Sequence, residues 1–325
     1  MDYTYDTIIS HILPNGNIYF FDVFARNNEL IMICPYLMPE WENKYKNMKL
    51  FINNEVINLN REYNQSEHER IYIRIYKLPL ENNELFSLTI VEDSLNINLE
   101  YYLIHYNFDK KYNLVSTTLF KDDYKLINLW YNYYNTMGVE QYYMYYNGKL
   151  NNDIIKCYNK NNINLLEWDF IYWKEMGEHV AQSAQINHAM YKYGKPLCKY
   201  MISNDLDEYF YIPNQRIVDM ISFDHIDTYV FENKWCETID TIETGEKLST
   251  LPNSIKMFNQ SFKYPNRSKC IYKIDKFNLL RVHSSDESSN ISFHENHKIL
   301  HFCTWTRPDR KINGSYTFLT IEKNT

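Results

Sequence analysis

The sequence predicts two folds in series: a β-rich, sandwich-like domain over residues 1–112, then an α/β domain with a mostly parallel central sheet over 113–325. Three observations carry this. Short apolar or alternating runs recur up to residue 105 with turn residues between them. From residue 113 such runs alternate with helical patterns, as in βαβ units. The 325 residues are 45% hydrophobic, enough to fill a sizeable core without staples.

In the first part, strands are expected at 18–23, 29–34, 49–52, 70–76, 86–91 and 100–105. Asn15-Gly16-Asn17, Asn53-Asn54 and Glu81-Asn82-Asn83 separate them, and this rhythm suggests an antiparallel sandwich or meander. In the second part, 114–120 reads as a strand. Asp122 and Asp123 then precede a helix whose Leu126, Trp130, Tyr133 and Met137 recur at helical spacing, and Gly138 stands where a left-handed cap belongs. Strands at 139–146 and 163–168 flank a short helix at 153–161. A helix at 179–193 ends before Pro196, and its amides lie on more than one side, which suits either a polar cleft or bonded core amides. The apolar strand 197–204 runs directly into Asp205-Leu206-Asp207-Glu208.

Composition excludes several chemistries. Glycine averages about 7% of soluble proteins, yet this chain has 7 glycines in all, no two close together. The dinucleotide fingerprint, the P-loop, the kinase glycine loop and the nucleophile elbow are therefore absent. Thirty-four Lys and Arg against 41 Asp and Glu leave a formal charge of −7, which disfavours nucleic acid as a partner. The 6 cysteines form no C-x-x-C pair and read as free thiols of a reducing compartment. No secretory leader or membrane-length apolar run is seen, so a cytoplasmic location is expected. Self-association is left open.

Three acids within four residues after a buried strand repel one another and need positive charge nearby. In an extended segment Asp205 and Asp207 point the same way and Glu208 the other, so the first two can share a divalent ion. Carboxylate oxygens suit Mg²⁺ or Mn²⁺. A solvated acidic turn is the competing reading. The position is nonetheless where an open α/β sheet gathers its ligands.

The order of several segments resembles the family-92 glycosyltransferases and their family-2 relatives. These are 115–130, Met137-Gly138-Val139 through Asn147, Gln182-Ser183-Ala184-Gln185-Ile186-Asn187-His188, Asn204-Asp205-Leu206-Asp207-Glu208-Tyr209 with Pro213, Tyr264 to Lys269 with Val282-His283, and His301-Phe302. Where the pattern has Asp, this chain carries Tyr146 and His188, which bears on donor specificity. The resemblance implies a GT-A fold and a nucleotide-sugar donor, a UDP-sugar, with a glycan or glycoconjugate acceptor. It implies that Asp205 and Asp207 hold Mn²⁺ or Mg²⁺, joined by His283 or His301. Thr118, Asp122, Asn147, Gln182, Asn187, Asp205 and Lys269 become the expected donor contacts. Asp122 is equally a helix cap, Asn147 a turn residue, and each histidine a candidate for a structural role.

Inversion, which the resemblance also implies, needs a carboxylate to take the acceptor's proton. Glu232, Glu237, Asp240 and Glu243 follow the strand 228–231. Glu237, beside the aromatic Trp235, is preferred, with Asp240 next. Two rival classes remain: a carbohydrate- or protein-binding module on a decayed transferase fold, and a metal-dependent nuclease or phosphohydrolase. A sugar nucleotidyltransferase is disfavoured by the missing glycine-rich loop.

Overall fold

Two tight hairpin turns in the first hundred residues are built by asparagine pairs, while Gly16, at φ 81°, serves the turn between the first two strands. A computed structural model describes residues 6–35, 45, 47–65, 71–79, 84–172, 180–221, 225–239, 245–260, 267–284 and 290–321. Strands β1 (His11–Ile12) and β2 (Ile18–Phe20) form a short ladder. The hairpin between β3 (Asp22–Arg26) and β4 (Glu29–Pro35) turns on Asn27 and Asn28, with φ of 45° and 61°. That between β5 (Lys49–Ile52) and β6 (Glu55–Ile57) turns on Asn53 and Asn54, with φ of 48° and 72°. Paired left-handed residues define the hairpin turn that matches strand twist, and asparagine tolerates it best after glycine.

With β7 (Leu59–Gln65), β8 (Ile71–Lys77), β9 (Leu85–Glu92) and β10 (Ile97–Ile104), these strands make two antiparallel four-stranded sheets, ordered β3-β4-β8-β7 and β10-β9-β5-β6. Leu30 and Met32 from one sheet share a core with Leu50, Leu88 and Ile90 from the other. Strand β9 alternates buried and open residues, whereas β4 and β8 are buried almost throughout. A strand apolar on both faces needs a second covering layer. The helix Val180–Ala189 supplies it, packing on β4 and β8. Chain contacts accordingly group residues 171–197 with 1–111 as one unit, and 112–170 with 198–325 as the other. The expected division placed that helix in the second domain.

The second unit holds a ten-stranded sheet. Strands β11 (Tyr112–Phe120), β12 (Gln141–Tyr146), β13 (Ile163–Glu167) and β14 (Cys198–Ser203) are parallel in the order β13-β12-β11-β14. Beyond β14 the pairing becomes antiparallel. It runs through β15 (Glu208–Tyr211), β16 (Thr228–Thr238), β17 (Ser254–Phe258), β18 (Lys269–Lys273), β19 (Ile291–His301) and β20 (Tyr316–Thr320), with β16 and β19 alone parallel here among the described strands. The mostly parallel sheet that was expected is thus mixed, because only the first four strands are joined by helical crossovers. The helix Ile127–Thr136 buries Leu129, Trp130 and Tyr134 in the core, and Gly138, at φ 92°, turns the chain after it. A Cβ there would lie 2.4 Å from Val218 Cγ1, so glycine is required twice over.

Candidate active site after strand β14

Strand β14 brings Tyr200, Met201 and Ile202 into the core and ends at Ser203. Asn204 then fixes the way the chain leaves the sheet. Its amide donates to Tyr134 Oη at 3.0 Å, to the Asp205 carbonyl at 3.0 Å and to the Glu208 carbonyl at 2.8 Å. Tyr134 Oη in turn donates to the Glu208 carbonyl at 2.9 Å and accepts from the Phe210 N–H at 3.1 Å. The helix Ile127–Thr136 therefore holds both ends of the acidic segment.

This segment is a turn, not an extended strand, which alters the expected alternation. Glu208 does not face away. It is 2% exposed, accepts from the Asp205 N–H at 3.0 Å and lies 3.1 Å from Lys269 Nζ. Lys269 also reaches Asp205 at 3.5 Å. His301 stands opposite Glu208 across the β15–β19 pairing. Its Nε2 is 3.5 Å from Asp207 Oδ2, and its Nδ1 is 3.7 Å from Glu208 Oε1. Thr306, on the helix Cys303–Thr306, donates to Asp207 Oδ2 at 2.8 Å.

Electrostatics follow from this crowding. Burial opposes ionisation of Asp207, but His301, the Thr306 hydroxyl and Lys269 outweigh it and hold its pKa below the ordinary value. Burial lowers the pKa of His301, and Asp207, with Glu208 and Asp205 behind it, more than reverses the effect. Asp123 shows the residual imbalance. Burial and the charges of Asp207 and Asp205 push its pKa up to about 7, against the Lys121 N–H that it accepts. Glu208 is likewise raised, by burial first and by Asp205 and Asp207, with Lys269 opposing. Among the described residues, Asp123, Asp205, Asp207 and Glu208 share Lys269 and His301 here, and Arg310 and Asp207 both act on Cys303 beside them.

A protonated His301 donates from both ring nitrogens. The side-chain amide of Asn233 lies 3.1 Å from His301 Nδ1, while its Oδ1 is buried with no partner among the described residues. Turning that amide over lets Oδ1 accept from a protonated Nδ1. The site thus supports a cationic histidine between two acids.

The donor chemistry fits a hard divalent cation, since the carboxylates exceed their cationic partners and Asp205 is 38% exposed. Among the described residues no three His, Cys, Asp or Glu side chains are already arranged around one ion. A cation entering here competes with Lys269 and His301 for the same oxygens.

The structure brings Asp205, Asp207, Lys269 and His301 together and adds Asp123, Glu208 and Thr306, which sequence reasoning had not assigned to the site. Asp122 is exposed and acts on Tyr146, so the acid that feels the Asp205 and Asp207 charges is its neighbour. Thr118 is buried within β11, its hydroxyl without a partner among the described residues. Asn147 donates to the carbonyls of Trp168 at 2.9 Å and Phe170 at 2.8 Å, tying the end of β12 to the chain beyond β13. Gln182, which accepts from Tyr172 Oη, and Asn187, which donates to the Ser183 carbonyl, belong to the other unit. The Nδ1 of His283 lies 3.2 Å from the Ser268 carbonyl, which places a donating proton on it. Glu237 is on β16 opposite Lys256. Asp240 lies outside the described residues. Trp235 stands opposite His301, with the guanidinium carbons of Arg267 and Arg310 at 5.9 and 5.5 Å from its ring.

One family profile, described as Glycosyltransferase family 92, matches residues 115–313, more than half of the chain and every residue of this cluster. No curated protein matches it.

Proposed function

The chain belongs to glycosyltransferase family 92, and from that premise we propose that it transfers a sugar from a UDP-sugar to a glycan or glycoconjugate with inversion at the anomeric carbon. The observation that carries the site assignment is the excess of carboxylates around Asp205 and Asp207, expressed in the raised pKa of Asp123. Asp205 and Asp207 would hold Mn²⁺ or Mg²⁺, and His301, beside Asp207, would join them once it gives up its proton. Bound there, the ion supplies positive charge for the departing nucleoside diphosphate, in a chain that has no glycine nest for phosphate.

The other tasks fall to side chains. Lys269, paired with both, fixes the relative positions of Asp205 and Glu208. Arg267 and Arg310, gathered at the Trp235 ring, offer cationic groups toward the diphosphate. Asp123 takes the place first given to Asp122 as the acid facing the nucleotide. Glu237, or Asp240 beyond it, removes the proton of the acceptor hydroxyl as the new bond forms.

The test is turnover of a panel of nucleotide sugars with Mn²⁺ and with EDTA. UDP-sugar consumption that needs the metal, and falls by about 10²-fold or more in Asp207→Asn, is the expected result. Hydrolysis of nucleic acid or phosphate esters without a sugar donor, or no response to any nucleotide sugar, contradicts the proposal.

A further inference from the structure

Residues opposite one another on paired strands share a face of the sheet, as do residues two apart on one strand. Glu208 of β15 faces His301 of β19, and His301 faces Trp235 of β16. Two residues along β16, Glu237 returns to the same face. It stands opposite Lys256 of β17, which stands opposite Phe318 of β20. One face of the sheet therefore runs without interruption from the acid cluster to its outer strand.

That outer strand carries aromatic rings where stability does not call for them. Leu319 turns to the core, whereas Tyr316 and Phe318 are 45% and 61% exposed. Their rings lie 5.5 Å apart and nearly perpendicular, and Lys256 Nζ is 5.5 Å from the Tyr316 centroid. An exposed aromatic pair on an edge strand contributes little to folding and invites association, so such a patch marks a binding surface. The first aromatic of the row, Trp235, already engages Arg267 and Arg310. The open rings are those of β20.

We propose that Tyr316 and Phe318, with Lys256 beside them, form a subsite for the body of an oligosaccharide acceptor, further along the same face than Glu237. The occupant follows from the chemistry and the place. Flat rings meet the apolar C–H faces of sugars, while an ammonium and a phenol beside them pair with hydroxyls. Strand spacing alone puts β20 about 14 Å from His301, three strands away. The subsite therefore holds sugars remote from the reacting one, and acceptors longer than a disaccharide gain most. Strand β20 lies beyond the residues that the family profile matches, so the assignment does not follow from family membership. It does rest on the transferase reading of the acid cluster.

The double variant Tyr316→Ser, Phe318→Ser tests it against the unaltered protein on an array of N-glycan, mucin-type and glycosaminoglycan oligosaccharides. Stabilisation by UDP and Mn²⁺ is recorded in parallel. The expected result is retention of at least one oligosaccharide longer than a disaccharide, weakened tenfold or more in the double variant and restored in Phe318→Tyr, with the UDP response unchanged. Equal retention by both proteins overturns the subsite, as does an unaltered protein that responds to UDP and Mn²⁺ but retains no oligosaccharide. Light scattering that shows a dimer broken by the double variant, with oligosaccharide retention intact, assigns the patch to a second copy of the chain instead. Loss of retention in the variant, without any UDP response in either protein, keeps the subsite and removes the donor reading.

Discussion

Asp22 and Asp207 are both buried carboxylates set against a histidine, one in each unit of the chain, and they keep different company. Asp22 is 0% exposed, and its Oδ2 lies 2.7 Å from His188 Nε2 and 2.8 Å from Lys192 Nζ. Its Oδ1 accepts from the Ile9 N–H at 2.7 Å. Among the described residues Asp22 meets Lys192 directly, and Asp6 acts on His188 from further off. Burial opposes ionisation of Asp22, but Lys192 and His188 outweigh it, while burial keeps His188 below its ordinary pKa. At Asp207, among the described residues, Asp123, Asp205, Asp207 and Glu208 share Lys269 and His301; His301 is raised, and Asp123 holds a proton up to about pH 7. The first cluster is complete as it stands and pins the helix Val180–Ala189 and the turn after it to β3. In the second, Asp123 and Glu208 stay raised even with Lys269 and His301 beside them, which is the imbalance that an added cation would relieve.

Breaking each cluster gives the largest separation between them. Asp22→Asn strips a buried lysine of its partner and is expected to cost about 3–5 kcal/mol in the first unit. Asp205→Asn, at a half-exposed position, is expected to change stability by about 0.5 kcal/mol or less. Urea denaturation with one probe in each unit compares the two, and equal losses break the contrast.

The pH response comes next in size, and the two units should move in opposite directions. A raised carboxyl pKa stabilises the fold below the unfolded value of 3.8, and that stability is lost as pH rises to about 7, the folded value of Asp123. His301, raised as well, adds stability below its unfolded 6.5 that disappears as pH climbs through its folded value. In the first unit His188 is lowered, so stability is lost as pH falls below 6.5, and that of Asp22 is lost below 3.8. Between pH 5 and 8 without divalent metal, the second unit is expected to weaken by on the order of 2 kcal/mol, at about 1.4 kcal/mol per pKa unit less screening. Asp123→Asn should flatten this slope and leave the first unit unchanged. A slope that survives the substitution assigns the effect to other groups.

Tyr134→Phe gives the smallest of these contrasts between the units. It removes the hydroxyl that receives Asn204 and Phe210 and donates to Glu208, at about 1–2 kcal/mol. Hydrogen exchange should accelerate across residues 204–210 and remain unaltered in the first unit. Unchanged exchange there removes the helix Ile127–Thr136 as the support of the acidic turn.

Much of this was legible in the residues. The strand pattern, the Asn53-Asn54 turn, the Gly138 cap and the acids following an apolar strand are local signals, each set by two to five neighbouring side chains. What escaped depended on distance or on turn geometry. Asp22 and His188 are 166 positions apart, so nothing near His188 reveals that its helix joins the first unit. The clue lay elsewhere, in 30–34, an unbroken apolar run, and in 71–76, interrupted only by Arg74, whose strands needed cover on both faces. Glu208 was misplaced because strand alternation was extended through a turn. Asp122 was preferred for its place just past the strand, and only the fold shows that its neighbour Asp123 is the one that feels Asp205 and Asp207. The mixed character of the sheet was hidden because antiparallel β17–β20 lie among loops and short runs without helical crossovers to mark them.

Uptake of a divalent cation by the Asp205–Asp207 cluster can be read from the electron paramagnetic resonance of free Mn²⁺, titrated with protein and UDP at pH 8 and again at pH 5.5. One Mn²⁺ per chain is expected at pH 8, much weaker binding at pH 5.5 where Asp123 and His301 keep their protons, and none in the Asp205→Asn, Asp207→Asn double variant. Equal uptake by the double variant, or none by the unaltered protein with UDP at pH 8, rules the cation site out.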